Sequence, residues 1–172
     1  IRCHDVEHPT TKIFVCHPRG GFKMLEIELF NRCVGEKRHL PFGAGQSYPL
    51  DECLVITMHR TEHPERTIGY RFVEPSGKTF VFLTDEEVRA AVPTSLKMFL
   101  KGADLLIGDG QYSEETYRTR TAGYGHGTPT YVVGLGLDAG VKKVGLTHHD
   151  PFSSDDDIDS LVAEGRILAG GS

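Results

Sequence analysis

The sequence predicts an α/β layered domain, and three observations predict it. Short β-branched and aromatic runs recur at 54–58, 69–74, 79–83, 103–108 and 141–147. Segments of helical character lie between and after the later runs, at 86–100, after Ser113, from Thr130 to Gly140 and from about Asp155, so strand and helix alternate as they do in layered folds. The apolar runs also stop abruptly on polar clusters: Thr84-Asp85-Glu86-Glu87, Asp109-Gly-Gln-Tyr112 and His148-His149-Asp150-Pro151. Polar groups at strand ends sit at the sheet rim where α/β folds bind ligands. With 172 residues and 38% hydrophobic content, the chain is long enough to bury a core, and one domain over 1–172 is expected.

The elements follow in order. Ile1 to His8 reads IRCHDVEH, a dense group of metal-ligating side chains, and Lys12 to Pro18 has the content of a short strand. Residues 22–30 place Phe22, Leu25, Leu29 and Phe30 near one helical face, although Glu26-Ile-Glu-Leu also fits an alternating strand; helix is favoured. The Gly- and Pro-rich run 35–49 reads as a surface loop bordering a pocket. The strands at 69–74 and 79–83 are joined by Pro75-Ser-Gly-Lys78, which makes them a hairpin. Its open ends, with His63 before the first strand and Asp85 after the second, therefore share one sheet edge. Residues 86–100 read as a helix interrupted near Pro93, and Ser113 as an N-cap followed by acidic residues.

Charge and cysteine content narrow the classes. The net charge is -5 and no long basic run occurs, so a nonspecific nucleic-acid footprint is not advertised. No apolar run nears the roughly 18 residues needed to span a bilayer, no leader pattern opens the chain, and the cytoplasm is the expected location. Cys3, Cys16, Cys33 and Cys53 lack CxxC spacing, which points to reduced thiols, with Cys53 in the core. There is no nucleophile-elbow serine and no phosphate-binding Walker loop, so acyl transfer by serine and NTP hydrolysis lack support.

The chemistry-bearing residues gather at strand ends. The run Val144-Gly-Leu-Thr-His148-His149-Asp150-Pro151 passes from apolar strand to imidazoles, carboxylate and a helix-breaking proline. Alone it fits a solvated polar turn as well as one wall of a metal site. With His63 and Asp85 on the neighbouring edge, the set His63, Asp85 and His148 suits zinc, manganese or iron, and an aspartate between histidines can bridge two ions. The ordinary alternative is that all three cap loops.

Five motifs in order carry a family resemblance: His63-Pro with Gly69-Tyr-Arg, Phe82-Leu-Thr-Asp85-Glu86, Ala103-Asp-Leu-Leu-Ile-Gly-Asp109, Gly125-His126-Gly-Thr128-Pro129, and Leu146-Thr-His148-His149-Asp150-Pro151. Over residues 54–152 the chain resembles the metallo-β-lactamase superfamily of metal-dependent hydrolases, especially its phosphodiesterase and tRNA 3′-processing ribonuclease branches. The resemblance implies an αββα sandwich and two divalent ions, zinc foremost with manganese or iron as alternatives. It implies His63 and His148 as metal ligands, Asp85 as bridging carboxylate with a catalytic role, and His126 as a catalytic residue near the scissile phosphate. Position 127 is Gly where the family usually has Ser.

The family's His-x-His-x-Asp-His motif is absent from this chain. Aligned with it, the opening segment pairs Cys3, Asp5, Glu7 and His8 with the four ligand positions and keeps only His8. These four are candidate ligands of a harder site; the alternatives are a plain loop, or a true motif and first strands lying upstream of Ile1. Asp109, closing a strand on the same rim, is expected to support the ligands or to be a simple turn residue. His149 should face away from His148, since adjacent strand residues point to opposite sides. His4, His17, His39 and His59 read as surface or satisfied core histidines, and Arg71 as a side chain able to meet an anion. The expected partner is a small-molecule or nucleotide phosphodiester, with nucleic acid and self-association left open. A metal-binding or interaction protein without turnover, and an iron redox protein, are the rival classes.

Overall fold

The computed structural model describes residues 13–18, 37–42, 47–49 and 55–170. Two short strands, β1 (Ile13–Pro18) and β2 (Lys37–Phe42), pair in parallel, with Ile13 opposite Lys37. The larger sheet has six strands in sequence order: β3 (Ser47–Pro49), β4 (Val55–Arg60), β5 (Ile68–Val73), β6 (Thr79–Leu83), β7 (Leu105–Asp109) and β8 (Val144–Thr147). β3 to β6 run antiparallel, whereas β6, β7 and β8 are parallel. The parallel half needs crossovers, and helices provide them. They are α1 (Thr94–Leu100) between β6 and β7, and α2 (Glu114–Thr116) and α3 (Pro129–Ala139) between β7 and β8; α4 (Asp155–Leu168) follows β8.

Alternation in β5 and β6 separates the two faces of the sheet. Tyr70 lies opposite Phe82 and Phe72 opposite Phe80, so these four rings form one ladder in which neighbouring centroids are 5.7–6.5 Å apart. The intervening Val81 and Leu83 point the other way, into the core with Leu96, Phe99 and Leu100 of α1, Leu106 of β7, and Val132 and Leu135 of α3. Each such fully buried aliphatic side chain contributes about 1.5–3 kcal/mol. The helix ends follow the sequence. Thr128 accepts from Tyr131 N to start α3, with Pro129 in its first turn, and Gly140 ends it in the left-handed region. Ser154 and Asp157 form a reciprocal capping box on α4.

Three expectations about elements are corrected. The run 35–49 is not one surface loop, since Lys37–Phe42 and Ser47–Pro49 pair as strands; among the described residues each of these strands has one unpaired edge, where proline is tolerated. Residues 86–92 are not helical. The Glu86 side chain turns inward to Arg89 and the Glu62 N–H, and a helix begins only after Pro93, whose ring disfavours helical backbone at Val92. The last strand starts at Val144, not Val141, because Val141 N and Lys142 N are spent on Gly136 O and Ala103 O in a turn. The helix expected over 22–30, and the placements of Cys53 and of His4, fall outside the described residues. Among the described residues no helix is long and apolar enough to cross a membrane.

Candidate metal centre

The three parallel strands end on one rim, and each delivers a side chain there. Asp109 is the last residue of β7, Asp85 follows β6 by two residues, and His148 follows β8 directly. Asp85 and His148 have φ of 56° and 60°, and among the described residues they are the two non-glycine residues with positive φ. This conformation costs energy for a residue with a Cβ and persists only where packing imposes it. Here it turns both side chains off their strand axes and toward each other.

His63 arrives from the loop between β4 and β5. That loop is bound to the one after β6 by Glu87 N donating to Glu62 O at 2.8 Å and Glu62 N donating to Glu86 Oε2 at 3.0 Å. Glu86 is 1% exposed. Burial pushes its carboxyl above the usual range, and Arg89, whose Nε lies 2.7 Å from Oε1, holds it back. His126 arrives on the glycine-rich loop ahead of α3. Glu87 accepts the Gly125 N–H at 2.6 Å and the Tyr117 hydroxyl. Gly125 has φ of 98°, and a Cβ there would sit 2.0 Å from the His63 ring, so only glycine lets this loop close over His63.

Asp85 Oδ1 faces three imidazoles: His63 Nε2 at 3.8 Å, His148 Nε2 at 3.9 Å and His126 Nδ1 at 4.0 Å. Such separations are too long for hydrogen bonds. They approach the edge of a coordination polyhedron, which for bonds of about 2.0–2.1 Å in tetrahedral geometry is about 3.4 Å. Asp109 is fully buried and acts as the hub. Its Oδ2 accepts from Asp85 N at 2.9 Å, lies 2.9 Å from His126 Nδ1, and is 3.4 Å from His148 Nδ1. Its Oδ1 is buried without a hydrogen-bond partner among the described residues. Burial raises its carboxyl while the hydrogen bond and charge of His126 lower it.

Asp85, Asp109, His126 and His148 bring one ligand atom each within 4.8 Å of one another. The imidazole and carboxylate donors, the spacings around Asp85 Oδ1 and the orphaned Asp109 oxygen all fit a divalent cation. The tightest group thus has Asp109 and His126 where the sequence suggested His63. His63 meets Asp85 and lies edge-on to His126, with ring centroids 5.4 Å apart. Its Nδ1 accepts from Glu65 N at 3.1 Å. His126 has Nδ1 directed at Asp109, which leaves Nε2 for a ligand. Cys3, Asp5, Glu7 and His8, the residues aligned with the four positions of the His-x-His-x-Asp-His motif, lie outside the described residues.

Other expectations have definite outcomes. Arg71 is engaged within the fold: it donates from Nη1 to Phe99 O and from Nη2 to Lys101 O, binding the carbonyl end of α1. His149 is half-buried with Nδ1 unpartnered among the described residues, whereas His148 is the more exposed of the pair. His59 lies against Phe99 with ring centroids 5.2 Å apart. Gly127 is buried, and a Cβ there would lie 2.6 Å from Asp109 O and 3.2 Å from Glu86 O, which explains a glycine at this position. Sequence reasoning missed the Glu86–Arg89 pair and the central place of Asp109. The signal for the first was the acidic triplet Asp85-Glu86-Glu87 after a strand, too long a polar run for a simple turn.

The protein has the metallo-β-lactamase fold. It superposes on YhfI of Bacillus subtilis, a metallo-β-lactamase fold protein, with a TM-score of 0.63 at 20% identity, covering 92% of this chain and 60% of that one. The short form of human tRNase Z matches with a TM-score of 0.53 at 24% identity over 66% of this chain and 44% of that one. Zinc-bound PqqB of Methylobacterium extorquens matches at 0.54 and 18% over 90% and 58%. In sequence, ribonuclease Z of Brevibacillus brevis is 35% identical over 106 residues, 58% of this chain and 32% of the relative. The chain therefore spans about a third of the length of this curated relative. No family model matches. At these identities and coverages the likenesses show the fold.

Proposed function

We propose that this chain carries the reaction centre of a metal-dependent hydrolase that cleaves a phosphodiester, with His63, Asp85 and His148 as ligands and His126 as the proton donor to the leaving oxygen. The observation that carries the reading is the Asp109–His126 pair beside Asp85. A buried carboxylate 2.9 Å from Nδ1 fixes the orientation of the imidazole, while Nε2 stays available to a substrate. His63, Asp85 and His148 would hold divalent ions, whose chemistry when bound would be to lower the pKa of a water and to offset phosphoryl charge. The chain's own part is to hold His126 beside the departing oxygen and to orient Asp85 through its backbone N–H on Asp109. Zinc suits these donors, manganese and iron are alternatives, and the cytoplasm is the proposed setting. Relatives named as ribonuclease Z and tRNase Z support a nucleotide-bearing or nucleic-acid substrate.

The test combines metal content of the purified chain with turnover of a chromogenic phosphodiester. His126→Ala should lower turnover by about 10²–10⁴-fold with metal retained, as expected on losing a general acid. Loss of metal instead makes His126 a ligand and overturns the assignment. A second reading is a metal-binding protein without turnover, in which Cys3, Asp5, Glu7 and His8 stand in for the histidine-rich motif; one bound ion and no hydrolysis would establish it.

A further inference from the structure

His126 is held at two points. Asp109 fixes its ring at Nδ1, and the backbone that carries the ring is fixed separately. The approach to His126 runs through Gly123 and Gly125, with φ of 89° and 98°, a conformation that glycine adopts at no steric cost and leaves as readily. Such a stretch needs a tether. The Gly125 N–H, on the residue just before His126, donates to Glu87 Oε2 at 2.6 Å, a short bond of the charge-assisted kind. The backbone bonds on either side are longer: Tyr124 N to Thr121 O at 3.0 Å and Tyr112 N to Gly127 O at 3.4 Å.

Glu87 is itself fixed at both ends. Its N–H donates to Glu62 O at 2.8 Å, which joins it to the loop carrying His63, and Asp85 stands two residues before it in its own loop. Its other oxygen, Oε1, accepts the hydroxyl of Tyr117. Tyr117 opens a five-residue π-helical turn, Tyr117–Thr121, a rare conformation that recurs at functional sites. Burial first, and then the bond to Glu87, push the Tyr117 phenol well above its usual range, so it stays a donor. One half-buried carboxylate thereby links the segments that present His63, Asp85 and His126. Its two partners are a backbone N–H and a neutral hydroxyl, so what it supplies to them is geometry and not charge compensation.

We propose that Glu87 is a positioning residue: through the Gly125 N–H it sets where His126 stands relative to the loops of His63 and Asp85, and so aligns the proton donor. The assignment rests on the reading of His126 as that donor. The test compares Glu87→Ala, Glu87→Gln and Tyr117→Phe in the full chain, by NMR of the Gly125 amide and the His126 ring and by turnover of the chromogenic phosphodiester. Glu87→Ala should displace both sets of signals and lower kcat by about 10–100-fold, as misplacing a reacting group by about 1 Å does, with KM and metal content unchanged. Glu87→Gln should restore both, because an amide oxygen still accepts from Gly125 while the amide N–H meets the Tyr117 oxygen. Tyr117→Phe keeps the carboxylate and should give a smaller displacement in the same direction. In a His126→Ala background Glu87→Ala should cost no further kcat, whereas a merely structural role would lower it again. Unmoved His126 signals in Glu87→Ala or Tyr117→Phe, a glutamine variant as impaired as the alanine one, loss of metal, or an additive loss in the double variant would overturn the assignment. Signals displaced and restored in a chain that hydrolyses nothing defeat only the hydrolase reading, and hydrolysis untouched by Glu87→Ala defeats only this one.

Discussion

Gly127→Ser installs the residue type usual in the family this sequence resembles, and it should weaken this protein. A Cβ at 127 would lie 2.6 Å from the Asp109 carbonyl oxygen and 3.2 Å from that of Glu86. Both are backbone atoms, one at the end of β7 and the other in the loop after β6, so neither can swing aside as a side chain tip would. The nearer contact is roughly 0.6 Å short of even a tight carbon–oxygen approach. Relief by moving the 125–128 loop outward by that amount would stretch the 2.9 Å His126–Asp109 hydrogen bond to about 3.5 Å, where little of it remains. Overpacking of this kind costs about 1–3 kcal/mol, which for a chain of this size lowers Tm by about 2–12 °C. Circular-dichroism melting of the parent, Gly127→Ser and Gly127→Ala proteins measures it. The two variants should fall together, because the clash is at Cβ and not at the hydroxyl. A serine variant as stable as the parent, with or without a destabilised alanine variant, would refute the steric reasoning.

Two further outcomes follow from the packing around the centre. Arg89→Ala leaves the buried Glu86 carboxylate without its cation and unties Glu62, so unfolding free energy should drop by about 3–5 kcal/mol in urea titrations near neutral pH; the deficit should shrink in acid as Glu86 takes up a proton. His59 has its imidazole pKa lowered, first by burial and then by the Arg89 charge. Its neutral form is thus the one the fold favours, and this contribution is fully present above the unfolded histidine pKa of about 6.5 and declines as pH falls below it. Comparing the pH dependence of Tm in the parent and in His59→Gln tests this, and an equally steep decline in both would assign the effect elsewhere.

Local chemistry in the sequence was enough to determine where strands end and which residues wait there. The Pro75-Ser-Gly turn makes β5 and β6 a hairpin, and from that alone His63 and Asp85 share an edge; the structure sets them 3.8 Å apart. Ser113 and Gly140 mark helix ends because capping depends on neighbours within a few residues. What depends on distant neighbours was decided only in three dimensions. Asp109 reads as a strand-closing aspartate, yet parallel pairing of β7 between β6 and β8 places its one carboxylate against groups 24, 17 and 39 positions away: the Asp85 N–H, His126 and His148. Glu86 is one acid of the polar cluster that ends a strand, and it is buried because Arg89 and the Glu62 N–H converge on it. Arg71 was free to be an anion site until folding brought the carbonyls of Phe99 and Lys101 within reach of its guanidinium. In each case the side chain's chemistry was legible in the chain, whereas its partner, set by sheet order and loop closure across tens of residues, was not.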